Sequence, residues 1–588
     1  MEAIFQSKRV RFGAKDLLGQ GGEASVYRVG AAALKIFSDP AVLPEKEAKI
    51  AAFPRAIPAE VLGPLGPVTA PDQTFLGYGM PLVEGASDIR VLSDRRARLG
   101  KIGQSETAQI LVRVGQVLSA IHGAGLVVGD LNDGNVLLKD GAPRFIDADS
   151  YQFGPHRSTV AHERFLDPRL YGLDLARSAA FSTATDWYAF DVLVFASLLF
   201  VHPYGGVLAG APTLLRRAEA RASILRPGVK LPPSALAPEI LSEELLQRFL
   251  DTFERDRRGP FPLDLLDRPF SRCSCGLEHQ RRACPGCKVQ VGVPERKSGT
   301  VTAVRVFRTD GVIETAAFHG GLKVLHRDAG GRVLREDGTE LPLPEQALAV
   351  LAGDSTYLST ALQTQHIRRG ALIAKAPRSL CYGRPMIAAG ARAAFRLEDD
   401  WLVDAVTGSR IGSILENATT ILAGEDRGLG FYRVGAQTHF FAFGGPAGVG
   451  LRPIALPSIS GRLLAARAYF DPHTSLLALE CLESGKRRTR LHLLDARGLP
   501  IAHAEGSSSD EPFLASAGGF ALFSGRILRA TDRGLLAIDV DRAGQKLTAG
   551  RLFTETEPFV SSDSELLAGP GGSVFVVDLQ EIVELRLS

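Results

Sequence analysis

The rhythm of apolar and polar positions changes twice along this chain. Near the start, "LLGQGGEASVYRVGAAALKIF" sets short apolar runs between glycine-bearing turns, which predicts strand, turn, strand, turn, strand. Further on, "ETAQILVRVGQVLSAIHGAG" carries apolar residues at helical spacing, and Gly123 and Gly125 mark its end. "DWYAFDVLVFASLLF" predicts a second, more apolar helix. Its longest apolar run, Phe190 to Val201, covers 12 residues, too few to cross a bilayer. Residues 1–270 therefore predict one α+β domain, β-rich first and helical afterwards.

From about residue 291 helical spacing becomes rare, and short apolar runs alternate with Gly, Asp and Arg turns. Several runs end on an acidic residue: "WLVDAVTG", "LHLLDARG", "LLAIDVDRAG" and "VFVVDLQ", with Asp404, Asp495, Asp539 and Asp578. The last three lie 44 and 39 residues apart, and the first gap of 91 is about twice that, with "FFAFGGPAG" midway. A period of roughly 40–45 residues with several strands per unit is the mark of propeller blades. Residues 291–588 predict an all-β propeller of six or seven blades. A pair of β-sandwiches with accidental spacing is the alternative.

Composition is ordinary for a globular protein, 45% hydrophobic and 23% charged, and 588 residues exceed one core. The net charge of +3 comes without a basic track or an acidic tail, so no nucleic-acid partner is expected. "MEAIFQSKRVRFG" has no apolar segment of signal-peptide length, which predicts a cytoplasmic protein with no membrane partner. Four of the six cysteines fall in "CSCGLEHQRRACPGC" as Cys273-x-Cys275 and Cys284-x-x-Cys287. Two close pairs around Pro and Gly suit tetrahedral Zn2+–thiolate binding, so residues 271–290 predict a small structural zinc ribbon. His279 is a possible substitute ligand. Cys381 and Cys481 are isolated and expected to be buried in blades.

Candidate chemistry gathers in residues 1–270. Gly19, Gly21 and Gly22, followed by Val26, could let backbone N–H groups approach phosphates. Lys35 sits among apolar neighbours in "AAALKIF", and "PEKEAKIAAF" supplies Glu45 and Glu47 on a short helix. A lysine held by such a carboxylate is a fixed cation suited to phosphate oxygens. "VGDLNDGN" places Asp130, Asn132, Asp133 and Asn135 close together, and Asp147 ends a strand 12 residues after Asn135. Asp and Asn from one loop with an Asp from a neighbouring strand end can hold Mg2+ and orient a hydroxyl. His122, at a helix end, is expected to be structural.

In this order and spacing the motifs resemble a bilobal protein kinase domain of the divergent bacterial, eukaryotic-like Ser/Thr type, over residues 12–270. The resemblance implies that Gly19–Val26 covers the phosphates, that Lys35 binds them and that Glu47 is its helix partner. Met80 would be the gatekeeper, with Leu82 in the adenine-binding hinge Pro81–Gly85. Asp130 would be the catalytic Asp, Asn135 and Asp147 the Mg2+ ligands, and Asp186 the anchor of the catalytic-loop backbone. ATP, Mg2+ and Zn2+ are the implied cofactors. Ala24 stands where the family has the third glycine of the phosphate loop, and four further sites depart from the family pattern. His-Arg-Asp reads Val128-Gly129-Asp130, the lysine two residues on is Asn132, and Asp-Phe-Gly reads Asp147-Ala148-Asp149. Ala-Pro-Glu reads Asp167-Pro168-Arg169, which puts its Glu–Arg ion pair in question. Without the loop arginine, phosphorylation of Tyr151, Ser158 or Thr159 is not expected to be needed. "IDADSYQF" followed by a zinc ribbon is similar to kinases that work with a PP2C-type phosphatase and a von Willebrand factor A domain protein, in tellurite-resistance or stress loci. Two functions follow: an active Ser/Thr kinase whose propeller recruits a protein substrate or regulator, or an ATP-binding pseudokinase scaffold. A small-molecule kinase of the same fold is a third.

Overall fold

A computed structural model describes the chain except residues 99, 179, 290–296, 299–300, 345, 446–449, 509, 524 and 588. The expected boundary between residues 290 and 291, and part of "FFAFGGPAG", lie outside the described residues.

The N-terminal part is mixed α/β. Seven strands form one sheet: β1 (Glu2–Phe5), β2 (Lys8–Arg11), β3 (Leu17–Gln20), β4 (Ala24–Val29), β5 (Ala32–Phe37), β6 (Gly66–Thr69) and β7 (Phe75–Pro81). Their spatial order is β2-β1-β6-β7-β5-β4-β3. Antiparallel register aligns Gly19, Val26, Lys35 and Tyr78 across four strands. Directly opposed residues share a sheet face, so Lys35 and Tyr78 project together. The helix α1 (Leu43–Ala51) packs on that face through Leu43 and Ile50, against Phe37, Phe75 and Tyr78.

A mainly helical portion follows. The Gln104–Gly123 and Thr183–Leu199 helices pack with Glu243–Phe253 around one large apolar cluster. Trp187, Phe190, Val194 and Leu198 are all buried, as the continuous apolar run predicts. Among the described residues no helix is long and apolar enough to cross a membrane.

The C-terminal part is all-β. Among the described residues it comprises seven four-stranded units resembling propeller blades. The first begins at Val312–Phe318, the second at Leu348–Ala352 and the third at Ile387–Ala389. The fourth begins at Thr419–Ala423, the fifth at Arg462–Phe470 and the sixth at Phe520–Phe523. The seventh starts at Glu565–Ala568 and is completed by Val301–Arg308, which pairs antiparallel with Glu581–Leu587. These first strands adjoin one another in cyclic order and the seventh meets the first, so the ring closes. An apolar cluster fills each gap between neighbours; Phe395, Ile421 and Phe443 occupy the one between the third and fourth. Inner strands such as Thr474–Glu483, whose first eight residues are all buried, are covered on both faces and read as largely apolar runs, whereas an outer strand such as Ala371–Pro377 is mostly exposed.

The recurrent aspartates close turns. Asp404 Oδ1 accepts from Val406 N and Thr407 N, and Asp495 Oδ1 accepts from Arg497 N and Leu499 N, each after a third strand. In the sixth unit Asp541, not Asp539, does this, accepting from Ala543 N and Gly544 N. Asp578 follows a second strand, so its spacing is not a blade repeat.

Candidate functional site

The strands Val136–Lys139 and Ala142–Phe145 form a hairpin in which Val136 faces Phe145. Asn135 therefore precedes one strand while Asp147 follows its partner, and Ile146 N donates to Asn135 O at 3.0 Å. Local register alone thus brings the ends of "VGDLNDGN" and "RFIDADS" together.

The 128–135 loop is held from below by Asp186, a buried residue of the Thr183–Leu199 helix. Its Oδ2 accepts from Val128 N (2.8 Å) and pairs with His122 Nε2 (2.9 Å), and its Oδ1 accepts from Gly129 N (2.9 Å). Asp186 thus ties the backbone at 128–129 to the helix, and His122, at the end of its own helix, shares that contact. Gly129 has φ +74, and an added Cβ would collide with Ser158 Oγ. The position where an arginine was expected by family pattern has neither the backbone conformation nor the room for one.

Asp130 Oδ1 accepts from His162 N at 2.7 Å and Asn132 Nδ2 at 2.9 Å, and its Oδ2 accepts from Asn135 Nδ2 at 3.1 Å. Burial pushes its carboxyl up to about 7, against the lowering effect of those donors and with the Asp147 charge adding to the rise. Asp147 itself adopts a left-handed backbone, φ 65 and ψ 39, rare for a non-glycine residue and common where function fixes the chain.

Lys35 does not pair with Glu47. Its Nζ binds Asp147 Oδ1 and, at 2.6 Å, Asp149 Oδ1. Glu45 and Glu47 are both on the exposed side of α1. The reason is helical geometry: Lys49 and Ile50 are the buried residues of α1, and position 46, three and four residues before them, shares their face while position 47 turns away from it. Lys46 accordingly points inward, with its Nζ 2.6 Å from Asp149 Oδ2 and 3.6 Å from Glu23 Oε2. Tyr78 Oη also donates to Asp149 Oδ1, at 2.8 Å. Burial opposes charge on Lys35, but Asp147 and Asp149 outweigh it and hold its pKa well above the usual value. Burial likewise acts to raise Asp149, and the two lysines overcome it and keep this carboxyl well below its usual range. Lys46, Asp149 and Tyr78 were not singled out in the sequence. The Leu43–Ile50 spacing admits position 46 and position 47 equally, so no local signal singled out Lys46.

The remaining expected residues sit nearby. Gly19 lies on β3 opposite Val26, and Gly21 N closes the turn on Ala24 O at 2.8 Å. Met80 lies on β7 opposite Ala33. The Leu82 N–H donates to Ala31 O at 3.1 Å, so it is not free to meet an adenine edge. The doubted ion pair exists in altered form: Asp167 accepts from Arg258 Nε (2.7 Å) and Nη2 (2.9 Å), with Arg169 also on it.

The blade ring lies across this cleft. A Cβ at Gly22 would stand 2.8 Å from Gly461 Cα, and one at Gly134 would stand 2.8 Å from Arg462 Nη2. Glu163 N donates to Gly485 O at 2.8 Å, and Arg487 N donates to Glu163 Oε1 at 3.0 Å. Asn417 Nδ2 donates to Leu17 O at 3.0 Å. A cavity of about 2920 Å³ adjoins the 128–135 loop at Asp133 and the neighbouring segment at Glu163; Ala316, Val350, Ala391 and Gly424 of the ring line it, with Phe200 and Leu208 opposite.

At residues 273–287 the sulfurs of Cys273, Cys275, Cys284 and Cys287 all lie within 4.8 Å of one another. Cys273 and Cys287 are 3.4 Å apart, and Cys275 and Cys284 are 3.6 Å apart. Tetrahedral Zn2+ with Zn–S of about 2.3 Å requires S···S of about 3.8 Å, so this set could hold the ion. His279 is buried outside the cluster, its Nδ1 accepting from Arg281 N, and is not a fifth candidate. Glu278 Oε2 accepts from Gln104 N at 2.5 Å and so caps the Gln104–Gly123 helix. Cys481 is buried in the fifth unit, whereas Cys381 is buried in a two-stranded hairpin between the second and third.

No protein-family model matches this chain, and no curated protein matches it.

Proposed function

We propose that the chain is an ATP- and Mg2+-dependent serine/threonine protein kinase of a bacterial signalling or stress-response system, with the blade ring as a propeller that recruits a protein substrate or partner. One observation carries this reading: Lys35, Asp130, Asn135 and Asp147 converge on one cleft, beneath a glycine turn and above a loop fixed by buried Asp186. Phosphoryl transfer asks a protein chiefly for positioning and charge. Lys35 would meet phosphate oxygens, Gly19, Gly21, Gly22 and Val26 would cover them, and Met80 with the side chain of Leu82 would flank the adenine. Asp130 would orient the substrate hydroxyl.

Asn135 and Asp147 fit Mg2+. Both offer hard oxygens, Asn135 Oδ1 takes no hydrogen bond among the described residues, and the Asp147 side chain keeps 32% exposure. When bound, the ion would neutralise phosphate charge. Zinc in the four-cysteine cluster would be structural.

Two features favour the alternative of an ATP-binding pseudokinase scaffold. Both Asp130 oxygens are already occupied by donors, and the ring contacts the glycine turn, the 128–135 loop and the 161–163 segment. The same contacts suit an enzyme that is weak alone and released by a partner. The test is incubation of the purified full-length chain with γ-labelled ATP, Mg2+ and a generic protein substrate, beside Asp130→Asn and Asp147→Asn. Label should enter protein from the unmodified chain and fall by at least about 100-fold in both variants. Nucleotide binding without any transfer sinks the enzyme reading and leaves the scaffold. Label appearing in a small molecule instead identifies a small-molecule kinase.

A further inference from the structure

We propose that Asp149 takes over the task expected of Glu47, orienting Lys35, and that Lys46 is a second cation directed at the nucleotide's phosphates. The inference rests on the Mg-ATP reading above and deepens it.

The geometry is a single carboxylate between two ammonium groups. Asp149 is buried, with Oδ1 on Lys35 at 2.6 Å and Oδ2 on Lys46 at 2.6 Å. Tyr78 fixes the same Oδ1 from the sheet side at 2.8 Å. Lys46 also reaches Glu23, which sits in the glycine turn between Gly22 and Ala24. It is therefore placed between the helix and the segment that would close over phosphates. Both lysines lie over the Phe37 ring, at 5.7 and 5.3 Å, so their stems share one apolar floor.

Charge decides what the arrangement can do. A lysine–glutamate pair would be neutral. Here Lys35 and Lys46 face Asp147 and Asp149. If Asp147 turns to a metal ion, two cations remain around one buried carboxylate, while Glu23, 3.6 Å from Lys46, is exposed and its charge is screened by water; the buried part of the cluster is then net positive and suited to a polyanion. That surplus stands in for the cation lost where Asn132 replaces a lysine. The charge pattern of α1 supports the swap, since its exposed charged residues are Glu45 and Glu47 and its inward ones are Lys46 and Lys49.

The experiment is calorimetric titration of the full-length chain with MgATP and, separately, with adenosine. Lys46→Gln should weaken MgATP binding by about ten- to hundredfold, the size of one charge-assisted contact, and leave adenosine unchanged. Lys46→Arg should restore most of the affinity. Asp149→Asn should lower the turnover number as well as the affinity, because it releases Lys35; Glu47→Gln should do neither. Trp187 fluorescence checks folding, and if Asp149→Asn does not fold, the two Lys46 variants decide. Unchanged MgATP affinity in Lys46→Gln, or an equal loss for adenosine, overturns the inference while the nucleotide reading stands. Loss in Glu47→Gln equal to that in Asp149→Asn overturns it too. An unmodified chain that binds no MgATP overturns both.

Discussion

Replacing Asp186 by asparagine tests the link between buried structure and the cleft. The two carboxylate oxygens engage three groups, Val128 N, Gly129 N and His122 Nε2, at 2.8 to 2.9 Å. Asparagine keeps one acceptor oxygen and puts an NH2 group in place of the other. In either orientation one loop N–H then faces a donor in a buried place. A lost charge-assisted bond costs about 1.5–3 kcal/mol and a stranded N–H about 1–3 kcal/mol, so roughly 3–5 kcal/mol is expected. Because Val128 and Gly129 lead directly into Asp130, the same change should loosen the cleft. Urea unfolding followed by Trp187 fluorescence, with the other tryptophan, Trp401, replaced by Phe, reads the stability, since the Trp187 ring packs edge-on to His122 at 5.7 Å. Asp191→Asn provides the contrast. Asp191 lies on the same helix but is held by Arg248, at 3.0 and 2.6 Å, and by Thr252, away from the loop. It should lose stability by about 3–5 kcal/mol yet keep MgATP affinity within about threefold. A stability change below about 0.5 kcal/mol in Asp186→Asn would refute the anchoring argument, as would an equal loss of nucleotide binding in both variants.

Arg258→Ala should lower stability by about 2–3 kcal/mol, because it takes the buried bidentate partner from Asp167, leaving it only the half-exposed Arg169, and removes the cation 4.6 Å over Tyr188; thermal denaturation reads the change, and Arg258→Lys should recover only part of it. Elemental analysis should find one zinc per chain, and its removal by a chelator should speed amide exchange in the first turn of the Gln104–Gly123 helix, where Glu278 caps Gln104. His202 is held neutral, with Nε2–H donating to Arg164 O at 2.7 Å and Nδ1 accepting from Tyr204 N, and burial drives its pKa down to about 3. A folded pKa below the unfolded one gives stability that is complete above pH 6.5 and is lost as pH falls toward 3. The loss is about 1.4 kcal/mol per pH unit, and His202→Gln should show a shallower decline in unfolding free energy over that range.

The alternation of the 17–37 segment, the two long helices and the four-cysteine cluster could be read from local pattern, because each rests on contacts close in sequence. Asn135 and Asp147 were legible for the same reason, since one hairpin joins them. The Lys35–Glu47 pair was not, because choosing between positions 46 and 47 requires the helix phase, which Leu43 and Ile50 leave open and the burial of Lys49 beside Ile50 decides. Asp149 was hidden by its distance from Lys35 along the chain, and Arg258 by its distance from Asp167. The turn-closing aspartates gave a period near the true one, but they mark hairpins rather than blades, so Asp539 and Asp578 misled where Asp541 does the work. Nothing local could announce that residues 461–487 would lie against the cleft, since that contact depends on how two separate parts dock.

The most direct test of the central claim is ATP affinity with and without Mg2+, measured by calorimetry on the unmodified chain and on Asn135→Ala and Asp147→Asn. The account predicts that Mg2+ tightens ATP binding to the unmodified chain by about tenfold or more, and that both substitutions abolish this dependence while adenosine binding persists. ATP affinity indifferent to Mg2+, or a Mg2+ effect untouched by either substitution, would contradict it.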